Sequence, residues 1–304
     1  MLGILAAIVR SDLQIPSSSS RFIALYLLFS IGFKGGQELS HAHFNKEIIT
    51  SLLFGVAVAS LIPFYVFFLL KRKLSTSDAG AVAATYGSVS AVTFVAAAAF
   101  LEIQKIVFEG HMVAVMAFME APAIIVGVIL IRRFESNKAN KTNIKSVIHH
   151  AFTNGSVLMI LGSLLIGLIA DTKQAEGIKP FTTDIFKGFL AIFLLEMGMV
   201  TAKRFAAFKK YGAFAVMVAI IIPAINGCIV AWASQFITDN VGNRFIFAIL
   251  AASGSYIAVP AAMRLAAPKA DPGLYIPMAL GVSFPFNITV GMPLYYLIID
   301  QIYF

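Results

Sequence analysis

Charge is scarce in this sequence. Only 12% of its 304 residues are Asp, Glu, Lys or Arg, about half the share near 25% that a soluble domain carries, while 59% are hydrophobic. Such a chain is read as an integral membrane protein. Cysteine is nearly absent. The lone Cys228 excludes an internal disulfide framework and a thiolate metal cluster, and in its apolar stretch it reads as an inert buried thiol. Tryptophan occurs once, against 27 phenylalanines. The sequence has no P-loop, no His-Glu-x-x-His pair and no Gly-x-Ser-x-Gly elbow, so ATP-driven transport and intramembrane proteolysis lack their signatures, and no catalytic role or organic cofactor is expected. The net charge of +8 falls in short loops between apolar runs, which speaks for a membrane and against nucleic acid.

What is present is a series of long apolar segments. Ten are read, at roughly 1–15, 21–40, 47–71, 78–101, 111–133, 147–170, 181–204, 211–237, 244–267 and 274–302. Residues 1–9 alone are too short to cross a hydrocarbon core of about 30 Å. The first helix is therefore expected either to begin before the numbered chain or to extend through Ser11 to Ile15.

The two halves answer each other. Ile62-Pro63 matches Ile222-Pro223, Gly32 matches Gly198, Gly87-Ser88 matches Gly254-Ser255, and Gly127 matches Gly291. Five spans per half is an odd number, so the second half must be inverted relative to the first. The expected fold is an all-α membrane protein with ten transmembrane helices in a 5+5 inverted-topology repeat, two of them discontinuous and crossing near the membrane midplane. Residues 1–133 form the first repeat, 134–146 a cytoplasmic linker and 147–304 the second repeat. Sixteen Lys and Arg residues fall on one side and seven (Lys34, Lys46, Lys105, Lys173, Lys179, Lys187 and Arg244) on the other. The richer side is read as cytoplasmic, with both termini outside.

Two segments carry the candidate chemistry. Gly87-Ser88-Val89-Ser90-Ala91-Val92-Thr93 and Gly254-Ser255-Tyr256-Ile257-Ala258-Val259-Pro260 place Gly and Ser where a spanning helix normally has Leu or Ile. Paired interruptions of this kind point to a transporter binding site. The second half of each broken helix would begin with free N–H groups that attract an anion, and Ser88, Ser90, Thr93, Ser253 and Ser255 would add hydroxyls. With no Arg or Lys in either motif, the ligand should be small and carry one negative charge at most. Carbonyl ends and hydroxyls could also hold Na⁺. Close helix packing through small residues is the structural alternative.

A carboxylate in hydrocarbon costs at least ~2.5–3.5 kcal/mol, so Glu120 and Glu196 should face a cavity or a partner. Asn226 and Asn287 read as interhelical hydrogen-bonding groups. His41-Ala42-His43 and His149-His150 read as interfacial loops rather than metal sites, and Ser17–Ser20 as a polar connection.

Gly32-Phe33-Lys34-Gly35-Gly36, the Gly87–Ala99 stretch, Phe118–Pro122, Met197-Gly198-Met199 and Ala251–Ala261 together resemble, in order and spacing, the sodium-dependent bicarbonate transporter family. The resemblance implies a homotrimer in the bacterial inner membrane. Each subunit would have a gate part and a core part, with bicarbonate and Na⁺ held between two broken helices. Gly87, Val89, Ser90 and Thr93 match the family's first broken helix and Ala251, Ala252, Ser253, Ser255, Ile257 and Pro260 the second. With the residue reading, this makes Gly87, Ser88, Ser90, Thr93, Ser253, Gly254, Ser255 and Tyr256 the expected substrate-binding residues. Glu120 stands where the family tends to have Asp. The family's second motif has an Asp where this chain has Tyr256, so Glu120 and the backbone near Gly87 and Gly254 are the expected cation-coupling groups. The loop that docks a small cytoplasmic regulatory protein in the family is shortened here. Sodium-coupled bicarbonate uptake is thus expected, ahead of a carrier for a small organic carboxylate or other anion with proton or no ion coupling, a passive anion channel, or a non-transporting scaffold.

Overall fold

The computed structural model describes residues 2–41, 46–135, 149, 153, 155–208 and 212–301, and these are mostly helical, without a strand. The elements are α1 (Leu2–Ile8), α2 (Ser17–His41), α3 (Lys46–Leu70), α4 (Thr76–Gly87), α5 (Ala91–Ile103), α6 (His111–Phe134), α7 (Gly155–Ile169), α8 (Thr172–Lys179), α9 (Phe186–Phe208), α10 (Gly212–Ala233), α11 (Val241–Ala252) and α12 (Ala258–Ala266). The last element, α13 (Pro272–Gln301), is a helix with π turns at Met278–Ser283 and Asn287–Gly291. Among the described residues, five helical stretches are long and apolar enough to cross a membrane: α3, α4 with α5, α6, α10 with its last turn, and α13. Ala42-His43, most of the 134–146 linker and His150 lie outside the described residues.

Three expectations are corrected. α1 stops at Ile8 instead of running through Ile15. Arg10 takes a left-handed conformation, φ 56°, and the Ser11 amide closes back on Ala6 O at 2.9 Å, a helix-terminating turn of the Schellman type. The segment expected at 181–204 starts later, at Phe186. Before it lie a π turn at Pro180–Asp184 and the short polar helix α8, whose start is fixed by an Asp171–Gln174 capping box. Arg244, counted among the loop charges, instead lies in α11, 2% exposed, and its Nη2 donates to Ala231 O at 3.3 Å.

The helices pack mostly in two groups, joined where α9 meets α13 and where α6 meets α2 and α7. α2 lies along α7 and α1 along α9, while α3, α4 and α6 pack together and α10, α11 and α13 do likewise. Small residues set the first group's contacts. A Cβ on Gly36 would collide with the α7 backbone at Leu164 and Leu168, and one on Gly167 would collide with the α2 backbone at Phe33. A Cβ on Gly198 would lie 3.2 Å from Gly3 Cα of α1. Glycine-to-backbone approach is how helices associate when lipid removes the hydrophobic drive. Gly32 and Gly198, matched in the sequence, therefore both serve close crossings: Gly32 on α7 at Ile160 and Ser163, Gly198 on α1.

Prolines inside helices free carbonyls that hydrocarbon cannot solvate. Pro223 in α10 leaves Ala219 O without its helical donor, and Ser283 Oγ of α13 supplies one at 2.6 Å. Tyr86 of α4 in turn meets Ser283 Oγ at 2.8 Å. One α13 hydroxyl thus ties two helices of different halves.

The glycine crossings give a direct test. Gly36→Ala should lower the stability of detergent-solubilised protein by about 1–3 kcal/mol through overpacking. Gly162→Ala on α7, where nothing lies within 4 Å, should leave the thermal midpoint unchanged.

Candidate functional site

Both Gly/Ser motifs interrupt their helices. α4 is a 12-residue helix begun by a Ser75 cap and ends at Gly87, followed by Ser88 in extended backbone, φ −84° and ψ 164°. α11 is also a 12-residue helix, begun by an Asn240 cap and ended at Ala252, followed by Ser253 at φ −79° and ψ 168°. The two exits have nearly the same conformation. The structural match is therefore Ser88 with Ser253, so Gly87-Ser88 corresponds to Ala252-Ser253, two residues earlier than the Gly254-Ser255 pairing read from sequence. The first break spans Ser88–Ser90 and the second Ser253–Ile257. The second break is longer because Gly254 and Ser255 follow the exit.

The breaks are hydrogen-bonded to each other. The Ser90 amide donates to Ser253 Oγ at 3.0 Å, and the Ser255 amide donates to Thr85 O at 2.9 Å. Ser90 then caps α5, its Oγ accepting from the Thr93 amide at 3.2 Å. The Ala91 and Val92 amides remain as first-turn donors without helical partners. α12 has no side-chain cap at Ile257. Ser255 Oγ lies 3.5 Å from the Val259 amide, and Pro260 sits in the first turn, where its missing N–H removes no helical bond. Ser88, Ser90, Thr93, Ser253 and Ser255 are all buried.

Neighbouring helices complete the region. A Cβ on Gly87 would collide with the Pro63 ring of α3 and touch Ala123 of α6, and one on Gly254 would touch Ala279 of α13. Glu120 of α6 is half-buried. Its carbonyl receives a long 3.4 Å bond from Ser88 Oγ, and no described residue bonds or pairs with its carboxylate. Tyr256 places its hydroxyl beside Ser90 without a regular hydrogen bond, and the Glu196 carboxylate of α9, with one buried oxygen unpartnered, acts on it electrostatically. Gly87, Ser88, Ser90, Thr93, Ser253, Gly254, Ser255 and Tyr256 are thus brought together, with Glu120 at their edge.

Two further interhelical bonds adjoin the region. Asn287 of α13 donates its Nδ2 to Ala252 O at 2.7 Å, closing the end of α11. Tyr65 of α3 donates to Asn226 Oδ1 of α10. Both Asn residues form interhelical bonds, as their isolation in apolar helices implied. A cavity of about 700 Å³ lies between α2, α5, the 105–108 loop and the Pro180–Asp184 turn. Ala98 on its wall lies roughly 12 Å along α5 from Ser90 at 1.5 Å per residue, and the break residues do not line it. Lys187 of α9 and Glu102 of α5, both in that wall, pair at 2.9 Å.

Two buried interrupted helices meeting inside a bundle of membrane-length helices are features of a membrane transporter. Comparison with protein families identifies which one. The Na⁺-dependent bicarbonate transporter superfamily matches residues 1–300, and the chain belongs to that superfamily. A comparison with curated individual proteins found no match.

Asn287→Leu should leave Ala252 O buried without a donor and cost about 1–3 kcal/mol. Thermal unfolding in detergent reads this loss, and Asn287→Gln should recover part of it.

Proposed function

We propose that this protein is a secondary transporter that takes up bicarbonate with Na⁺ by alternating access. It would have ten spans in a 5+5 inverted repeat, residues 1–133 and 147–304. The observation that carries the reading is the direct locking of the two breaks, Ser90 N–H to Ser253 Oγ and Ser255 N–H to Thr85 O, in a chain of a bicarbonate transporter superfamily. The matched exits at Ser88 and Ser253 and the matched crossings of Gly32 and Gly198 support the repeat.

In this reading α1, α2, α7 and α9 form the gate and the remaining long helices the core. The anion is held by the first-turn amides of α5 and α12, with Ser88, Ser90, Thr93, Ser253 and Ser255 orienting it and Tyr256 closing one side. Na⁺ is held by oxygens near Gly87 and Gly254 with Glu120. The 700 Å³ cavity is the outer vestibule, and the Lys187–Glu102 pair spans its mouth. A homotrimer in the bacterial inner membrane, with both termini outside and a regulatory protein on the cytoplasmic face, completes the reading. A small organic carboxylate is the second candidate substrate, favoured by Tyr256 in place of the Asp that the family resemblance implies.

Proteoliposomes should accumulate labelled bicarbonate when a Na⁺ gradient is imposed and lose accumulation when it is collapsed. Equal uptake without any Na⁺ or H⁺ gradient would remove coupled transport. Ser90→Leu with Ser255→Leu should reduce uptake at least tenfold, which corresponds to about 1.4 kcal/mol. Unchanged uptake would remove the site assignment. Excess acetate that competes fully with bicarbonate would favour the organic carboxylate.

A further inference from the structure

A second polar cluster lies apart from the helix breaks, where α3 and α6 begin. Glu47 of α3, Glu109 of the loop before α6 and His111 of α6 each offer a ligand atom, and these atoms lie within 4.8 Å of one another. We propose that these three residues bind a divalent transition metal of the Zn²⁺ class.

The side chains are built for this. His111 is 2% exposed, with Nδ1 3.1 Å from Glu109 Oε2 and Nε2 3.3 Å from Ser51 Oγ, itself buried. Nδ1 thus faces the Glu109 carboxylate and Nε2 faces the Ser51 hydroxyl, so a metal on Nδ1 would leave Nε2–H to donate to Ser51 Oγ. That outer contact is the kind that orients metal-bound imidazoles. Glu47 is fixed by the Thr238 hydroxyl, and the Glu109 amide donates to Asn243 Oδ1 at 2.8 Å. Asn243 is fully buried with its Nδ2 unpartnered, a donor available to a metal-bound water or a carboxylate oxygen. Glu38 adds a third carboxylate near Glu109, with Lys34 beside it.

One imidazole with two carboxylates suits Zn²⁺, whose sites commonly combine three protein ligands with a water. Na⁺ and Mg²⁺ prefer oxygen donors alone. The exposed side of Glu109 leaves a route for the ion. Glu47, Glu109 and Thr238 come from segments far apart in sequence, so the ion would pin three connections at one end of the bundle.

The test uses the full chain, purified in detergent and stripped of metal, with transport not measured. Zn²⁺ should raise the thermal midpoint while equal Mg²⁺ does not. His111→Asn and Glu47→Gln should weaken Zn²⁺ binding at least tenfold, and Ser51→Ala about tenfold, the usual effect of losing an outer contact. Co²⁺ added to the wild type should give the visible absorption of a low-coordinate nitrogen–oxygen site, discharged by Zn²⁺. This reading stands even where a variant fails to fold. A wild type without Zn²⁺-dependent stabilisation, without the Co²⁺ band, or with binding retained in His111→Asn overturns the proposal.

Discussion

The structure depends on a constraint that the bilayer imposes. A helix interrupted in hydrocarbon exposes amides and carbonyls that no water can satisfy, each costing several kcal/mol if orphaned. This chain interrupts two helices and lets each answer the other. The Ser90 amide uses Ser253 Oγ, the Ser255 amide uses Thr85 O, and Ser90 Oγ caps its own helix. The exchange holds the two breaks against each other. It also explains the choice of residues: serine supplies an acceptor where a backbone carbonyl is out of reach, and Gly87 lets the chain lie against the Pro63 ring.

The breaks also recruit α13, which explains its irregularity. Asn287 closes Ala252 O, Ser283 serves the carbonyl freed by Pro223, and Tyr295 donates to Pro223 O at 3.1 Å. A regular helix would rotate some of these groups away from their partners. Pro277, Pro285 and Pro293 remove three α-type donors along the rod, and the backbone relaxes into π turns between them. Widened turns of this kind often accompany functional sites. Here they turn a row of polar side chains toward α10 and α11.

Much of this was legible in sequence, and for identifiable reasons. Membrane character followed from composition, and the breaks from Gly and Ser in otherwise aliphatic runs, because no packing context makes Ser-Val-Ser a strong helix interior. The pairing register was two residues off because Gly254-Ser255 looks like Gly87-Ser88, whereas the chain leaves the helix at the residue after Ala252. Local letters repeat more readily than local conformation. The end of α1 hinged on a left-handed Arg10, a conformation that an Arg does not announce. Arg244 was read as a loop charge because its burial depends on a carbonyl of α10, a contact that the pattern of one segment does not contain. The Glu47–Glu109–His111 cluster was invisible for the same reason: its members lie on different elements.

The charge of the break region bears on what it can hold. None of its residues is basic, so under the proposed reading the attraction for an anion comes from the helix starts. Each N-terminus contributes roughly half an elementary charge, and α5 and α12 together give about one. That balances a monovalent anion and leaves a divalent one with about one uncompensated charge in a medium where isolated charge is costly. A cation brought in beside the anion adds a full positive charge, which calls for a carboxylate close by. Glu120 has no competing partner among the described residues, and its backbone already touches the first break through Ser88. Glu196 of α9 acts electrostatically on Tyr256 of the second break. The two carboxylates differ in one respect that matters for coupling. Glu120 lies on α6, which packs with α3 and α4 beside the first break. Glu196 lies on α9, a gate helix in the proposed reading, so movement of gate against core would change the field it imposes on the site. Under that reading Na⁺ binding belongs with Glu120.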